Sequence, residues 1–279
     1  MLLLNMLLLS LLFLSNGLPI RQNVTLPIVL MHGIASNKDN MNELKDYLID
    51  NFNLDVIVPE IGNGIMNSIN IPLSVQGELL CTQLKNNPSL SNGFNFIGIS
   101  QGGILGRYYI EKCNGYQVNN FITMVSPHGG VYKKRIGSII DMYGEYAQSH
   151  YSFSSYWRDP YDYTTYTDIT LLANLNNEII TCNSTNNMIN LNSIKNFVMV
   201  YSPNDSILSP PESGIFSTYD INSLNVISMK DTSYYISLGL KDLNENNKIY
   251  TYKSNCTHDQ HKNYECFIQL HDMFKKFCT

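Results

Sequence analysis

The chain has 279 residues, a formal net charge of −5 at pH 7 and only 15% charged residues. That balance excludes a nucleic-acid binder, which presents a basic face. The one basic cluster, Lys133-Lys134-Arg135, reads as a solvated loop rather than a docking site.

The N-terminus opens on Met1-Leu2-Leu3-Leu4 and stays apolar from Met6 to Leu14. This run is too short to span a bilayer comfortably, and Ser15 and Gly17 follow at the spacing a signal peptidase prefers. Residues 1–17 are therefore expected to be a signal peptide, with an uncleaved anchor as the alternative. No later segment is apolar over a membrane-spanning length. Residues 18–279 then suit a single domain with a sizeable core. Six cysteines behind a signal sequence point to disulfides in an oxidising compartment. None forms Cys-x-x-Cys, so no zinc site is expected, and no motif calls for a cofactor. Sequons at Asn23, Asn183, Asn204 and Asn255 fit passage through a glycosylating secretory route.

From Pro27 the chain alternates strand and helix. Pro27 to Met31 is apolar on consecutive positions, as a parallel strand covered on both faces requires. Met41, Leu44 and Leu48 recur at helical spacing. Val56 to Val58 is a second strand, stopped by Pro59, and Val75, Leu79, Leu80 and Leu84 mark the next helix. A third strand, Phe94 to Ile97, leads through glycines into a helix from Gly103 to Lys112. Phe121 to Val125 is a fourth strand, ended by Pro127 and Gly129-Gly130. The alternation predicts crossover units and a mostly parallel sheet with helices on both faces. It breaks over 131–195, a tyrosine-rich stretch with the one tryptophan, Trp157, expected to be a helical insertion over the sheet edge. Strands resume at Phe197 to Tyr201 and Ile249 to Tyr252. A closing amphipathic helix carries Tyr264, Phe267, Ile268, His271 and Phe274.

The chemistry concentrates in Gly98-Ile99-Ser100-Gln101-Gly102. A glycine-flanked serine between strand and helix is a nucleophile elbow, the mark of the α/β-hydrolase fold. Serine needs an adjacent base, and the base needs a carboxylate to set its tautomer. In this fold the order is serine, acid, histidine, each in a loop past a strand end. Asp205, just beyond the strand ending at Tyr201, fits the acid better than Asp220, Asp231 or Asp242, although Pro203-Asn204-Asp205-Ser206 is also good turn chemistry. His258 and His261 share the loop after Ile249–Tyr252, and spacing alone does not separate them; His271 falls in the final helix. His32-Gly33 follows the first strand, where an amide turns toward the site, so the backbone N–H groups of Ile34 and Gln101 are the expected oxyanion donors. His32 and His128 read as structural hydrogen-bonders or buried loop residues.

These residues resemble the palmitoyl-protein thioesterases. The elbow Gly98-Ile99-Ser100-Gln101-Gly102-Gly103 followed by Leu105-Gly106-Arg107 is similar to theirs, as is the lead-in Asn92-Gly93-Phe94-Asn95. So are Pro27 to Gly33, Val75-Gln76-Gly77-Glu78-Leu79-Leu80-Cys81, Tyr156-Trp157-Arg158-Asp159-Pro160, Leu172 to Glu178 and Asn204-Asp205-Ser206-Ile207. The resemblance implies a hydrolase that cleaves long-chain acyl thioesters from cysteines of lipidated proteins, usually in the lysosome. It implies Ser100 as nucleophile and Asp205 as acid. It aligns His258 as base, although Thr257 stands where the family carries aspartate, which keeps His261 open. It also implies a disulfide between Cys81 and Cys113, and leaves Cys182, Cys256, Cys266 and Cys278 without assigned pairing. The nearest rivals are a lipase or carboxylesterase acting on oxygen esters, an acyl-CoA thioesterase, and a hydrolase-fold binding protein without turnover.

Overall fold

The computed structural model describes residues 25–113 and 115–279; the expected signal peptide and the Asn23 sequon lie outside them. Its centre is a six-stranded, all-parallel sheet. In chain order the strands are β1 (Ile28–Met31), β2 (Val56–Ile57), β3 (Phe94–Ile99), β4 (Val118–Met124), β5 (Asn196–Tyr201), a separate antiparallel pair β6 (Thr218–Tyr219) and β7 (Val226–Ile227), and β8 (Ile249–Lys253). The large sheet runs β2-β1-β3-β4-β5-β8, so β3, which ends at the serine, sits near its middle. This is the α/β-hydrolase arrangement.

The two-residue period of a strand divides the core. Val29, Met31, Phe96, Phe197 and Met199 face one layer. Ile28, Leu30, Ile97, Ile99, Val198 and Val200 face the other. After α1 (Asn42–Phe52) and the short α2 (Ile65–Asn70), α3 (Leu73–Lys85) and α4 (Gln101–Lys112) roof the first layer, while α1 and the C-terminal helix His271–Cys278 cover the second. Alpha-helix α1 buries Leu44, Tyr47 and Leu48 and stops at Asn53, whose φ of 52° reverses the chain.

Five details depart from the sequence pattern. The strand at β3 runs to Ile99 and β4 begins at Val118, three residues before the expected Phe121. Polar residues hide that start: Asn120 Nδ2 donates to Asn95 Oδ1 at 3.0 Å and to the Phe277 carbonyl at 2.7 Å. In α3 the buried face is Leu73, Gln76, Leu80 and Leu84, whereas Val75 and Leu79 are exposed. Gln76 turns inward because its amide serves the carbonyls of Ser68 and Ile71. The closing helix is broken into Tyr264–Phe267, a 3₁₀ turn Ile268–Leu270 and His271–Cys278. Lys134 lies in a short helix, Lys134–Gly137, and not in a loop.

Alpha-helix α4 rests on β3 and β1 with almost no spacer. A Cβ on Gly102 would stand 2.4 Å from the Met31 carbonyl oxygen, and one on Gly98 would stand 2.6 Å from the Gly103 backbone. Cys81 of α3 is bonded to Cys113 beyond α4, and Cys256 to Cys266. Cys182 is exposed and Cys278 buried, both as free thiols. Among the described residues, no helix is long and apolar enough to cross a membrane.

Candidate active site

Ser100 is the single residue between β3 and α4, with φ 54° and ψ −124°. A non-glycine residue holds such angles only where its surroundings impose them. Here its amide donates to the Met124 carbonyl at 2.8 Å, and its own carbonyl accepts from Gly103. The side chain is thereby lifted off the end of β3.

His258 Nε2 lies 2.9 Å from Ser100 Oγ, and His258 Nδ1 lies 2.7 Å from Asp205 Oδ2. Three residues from loops after β3, β5 and β8 thus form one hydrogen-bonded chain: hydroxyl donates to imidazole, imidazole to carboxylate. The outer oxygen of Asp205, Oδ1, accepts from the amides of Ile207 and Leu208 at 2.8 and 2.9 Å. Its turn chemistry and its link to His258 coexist, since the two oxygens serve different partners. The His258 loop is a 3₁₀ turn, His258–Lys262, opened by a capping box in which the Thr257 amide donates to Gln260 Oε1. Thr257 therefore has a structural task at the position where the resemblance leads one to look for aspartate.

His261 does not face Ser100. Its Nδ1 donates to the carbonyls of Thr257 and His258, and its Nε2 accepts from Ser254 Oγ at 2.8 Å. Burial pushes its pKa down, which suits a neutral ring bracing the loop. His32 sits 3.2 Å from Glu60 Oε1. His128 is wholly buried, stacked on Phe216 and bonded to Thr123 Oγ1 at 3.0 Å. Burial, aided by Arg107, holds His128 well below the usual histidine range. His271 bonds to the Tyr47 hydroxyl.

The amides of Ile34 and Gln101 flank Ser100 and have no hydrogen-bond acceptor among the described residues. The Gln101 side chain is held elsewhere, donating to the Ser68 carbonyl and Gln76 Oε1 and accepting from the Tyr156 hydroxyl. Sequence reasoning missed this knot of Ser68, Gln76, Gln101 and Tyr156, because buried amides carry no periodic signal.

Two hollows meet at Ser100. The larger, about 530 Å³, is walled by apolar side chains that include Ile136, Ile139, Met142, Phe153 and Trp157. The smaller, about 200 Å³, lies on the His258 side and includes Gly33, Ser36, Asp259 and Lys262. Tyr156 and Trp157 are buried and also line the larger hollow. Among the described residues, no three His, Cys, Asp or Glu side chains converge as a metal would require. The sequon residues Asn183, Asn204 and Asn255 are exposed.

The family model described as palmitoyl protein thioesterase matches residues 27–258. The chain belongs to that family. Palmitoyl-protein thioesterase 3 of Dictyostelium discoideum is 35% identical over 254 residues, covering 86% of this chain and 87% of the relative. Lysosomal thioesterase PPT2-B of Xenopus laevis is 27% identical over 244 residues, covering 81% and 83%. Among solved structures, Bacillus licheniformis lipase BlEst2 in mature form superposes with a TM-score of 0.53 at 12% identity, covering 92% of this chain and 93% of that one. That likeness concerns the fold. Within the family, the chain is a hydrolase of the thioesterase and esterase kind.

Proposed function

We propose that this thioesterase-family member removes long-chain fatty acyl groups from cysteine thiols of lipidated proteins through an acyl-enzyme. The observation that carries the reading is the Ser100–His258–Asp205 chain opening directly onto the apolar hollow of about 530 Å³. His258 takes the Ser100 proton as Oγ attacks the thioester carbonyl. The amides of Ile34 and Gln101 hold the oxyanion, and Asp205 stabilises the imidazolium. The tetrahedral intermediate expels the cysteine sulfur, which receives the proton from His258. Water, deprotonated by the same imidazole, then cleaves the Ser100 ester and frees the fatty acid. A thiol is the more acidic leaving group, so less proton transfer is needed at departure than for an alcohol. The apolar walls would hold the acyl chain. The segment 131–195 supplies most of that wall, as an insertion in one catalytic domain spanning 18–279.

The name of the Xenopus relative and the two disulfides support a lysosomal or other secretory-pathway location, since disulfides persist in oxidising compartments. The exposed sequons at Asn183, Asn204 and Asn255 are candidate glycosylation sites on that route.

The test is turnover of a palmitoyl thioester against a palmitoyl oxygen ester of equal chain length. Ser100→Ala and His258→Ala should each lower kcat by at least about 10⁴-fold, with the fold retained by circular dichroism. His261→Ala should cost stability while keeping the proton transfer. Turnover that survives Ser100→Ala, or a clear preference for the oxygen ester, rejects the reading.

A further inference from the structure

We propose that the segment 133–140 seats the protein on an anionic lipid surface, with the mouth of the large hollow turned toward the bilayer. The only dense basic run in a chain of net charge −5 is Lys133-Lys134-Arg135, and it stands on the rim of that mouth. Ile136 and Ile139 follow on the same short turn, exposed by 39% and 76%, and Ile207 on the opposite rim is exposed by 46%. All three isoleucines also line the hollow. Lys133 joins the rims, its Nζ donating to the Ser206 carbonyl. The mouth is therefore ringed by apolar prongs that water does not favour, backed by cations.

Those cations are unspent. None of the ion pairs among the described residues uses Lys133, Lys134 or Arg135. The acidic residue just after the segment is Asp141, whose carboxylate accepts from the amides of Tyr143 and Gly144. The charge complementarity is thus to an anionic surface, and the apolar prongs are suited to the interface between headgroups and acyl chains. The overall charge of −5 does not prevent this. Salt screens charges beyond about 10 Å, so a surface responds to the rim facing it and not to the far side of the molecule. The rim also opens into an apolar hollow, which a lipid surface can feed with an acyl chain and an ordinary protein partner cannot. That last step rests on the thioesterase reading; binding to the surface does not.

The experiment uses the mature chain and vesicles of phosphatidylcholine with and without phosphatidylglycerol, read by flotation. The protein should float with the anionic vesicles, release as salt rises, and remain free of the neutral ones. Lys134→Gln/Arg135→Gln, neither of which lines the hollow, should weaken binding about 30-fold, at roughly fivefold per cation. Its turnover of a soluble short-chain thioester should be unchanged, while turnover of a vesicle-anchored acyl peptide falls. Ile139→Ser should weaken anionic-vesicle binding without altering its salt dependence. Equal binding to neutral vesicles, or none to anionic ones, overturns the assignment. So does a dimer in light scattering that Ile139→Ser dissolves, because the face would then serve a second copy. Vesicle binding that persists in a chain without thioesterase turnover would leave the surface standing and reject only the catalytic reading.

Discussion

The sheet and the segment 131–195 are both buried against one another, yet they are held by different forces. The strands are joined by apolar side chains: Phe96, Ile97, Phe121, Ile122, Val198 and Met199 are fully buried. The segment is tied down by a polar knot. Glu178 accepts from Arg158, Tyr163, Tyr166 and Asn176 at 2.6 to 3.1 Å. Arg107 of α4 completes the join by donating to Asn176 Oδ1 and the Leu175 carbonyl, with Glu111 as its ion-pair partner. Arg158 Nε and Glu111 Oε2 have no hydrogen-bond partner among the described residues. An apolar core loses stability in proportion to what is trimmed, whereas a buried polar network loses most of its worth with its first member. The wall of the hollow therefore depends on a few irreplaceable groups, and the platform under Ser100 on many redundant ones.

Glu178→Ala is the sharpest way to break that contrast. It strands the Arg158 guanidinium, whose side chain is 7% exposed, and should cost about 3–5 kcal/mol in urea unfolding, with palmitoyl-thioester turnover lost before the fold. A loss under about 1 kcal/mol would mean that water or a neighbour replaces the carboxylate and that the knot is not critical. On the sheet, Ile122→Val should cost only about 0.5–1.5 kcal/mol and leave turnover near the parent value; a larger drop in activity than in stability would show that the platform is less redundant than its packing indicates.

The remaining effect is one of acid. His128 and His261 are both held neutral by burial. The unfolded chain takes up their protons below about pH 6.5 and the folded one only at lower pH, so stability falls as pH drops through that value. Each contributes a slope of at most about 1.4 kcal/mol per pH unit. Glu111, raised by burial despite Arg107, works in the opposite sense in the parent and in the variants alike. His128→Gln should therefore be less stable at neutral pH but flatter between pH 6.5 and 5, measured by denaturant midpoints. An unchanged acid limb would mean that His128 is protonated in the folded state.

The same contrast explains what was legible in sequence. Strands announce themselves by consecutive apolar residues and the elbow by glycines, so the sheet, Ser100 and Asp205 could be read from patterns alone. That His258 and not His261 meets Ser100 needed coordinates, since both lie in one turn and only their directions differ. Gln76, Asn120, Arg158 and Glu178 were illegible because a polar residue declares its burial only through a partner distant in sequence. The exposed isoleucines at 136 and 139 were masked for the converse reason: apolar letters in a short irregular stretch look like core.

The Cys256–Cys266 bond, between cysteines ten apart in sequence, closes a ring that carries both His258 and His261. Until that ring shuts, the imidazole that must meet Ser100 hangs on an open strand-end with far more conformations to sample. Alignment of the Ser100–His258–Asp205 hydrogen bonds is in this sense coupled to a covalent event, and so to the redox state of whatever space the polypeptide folds in.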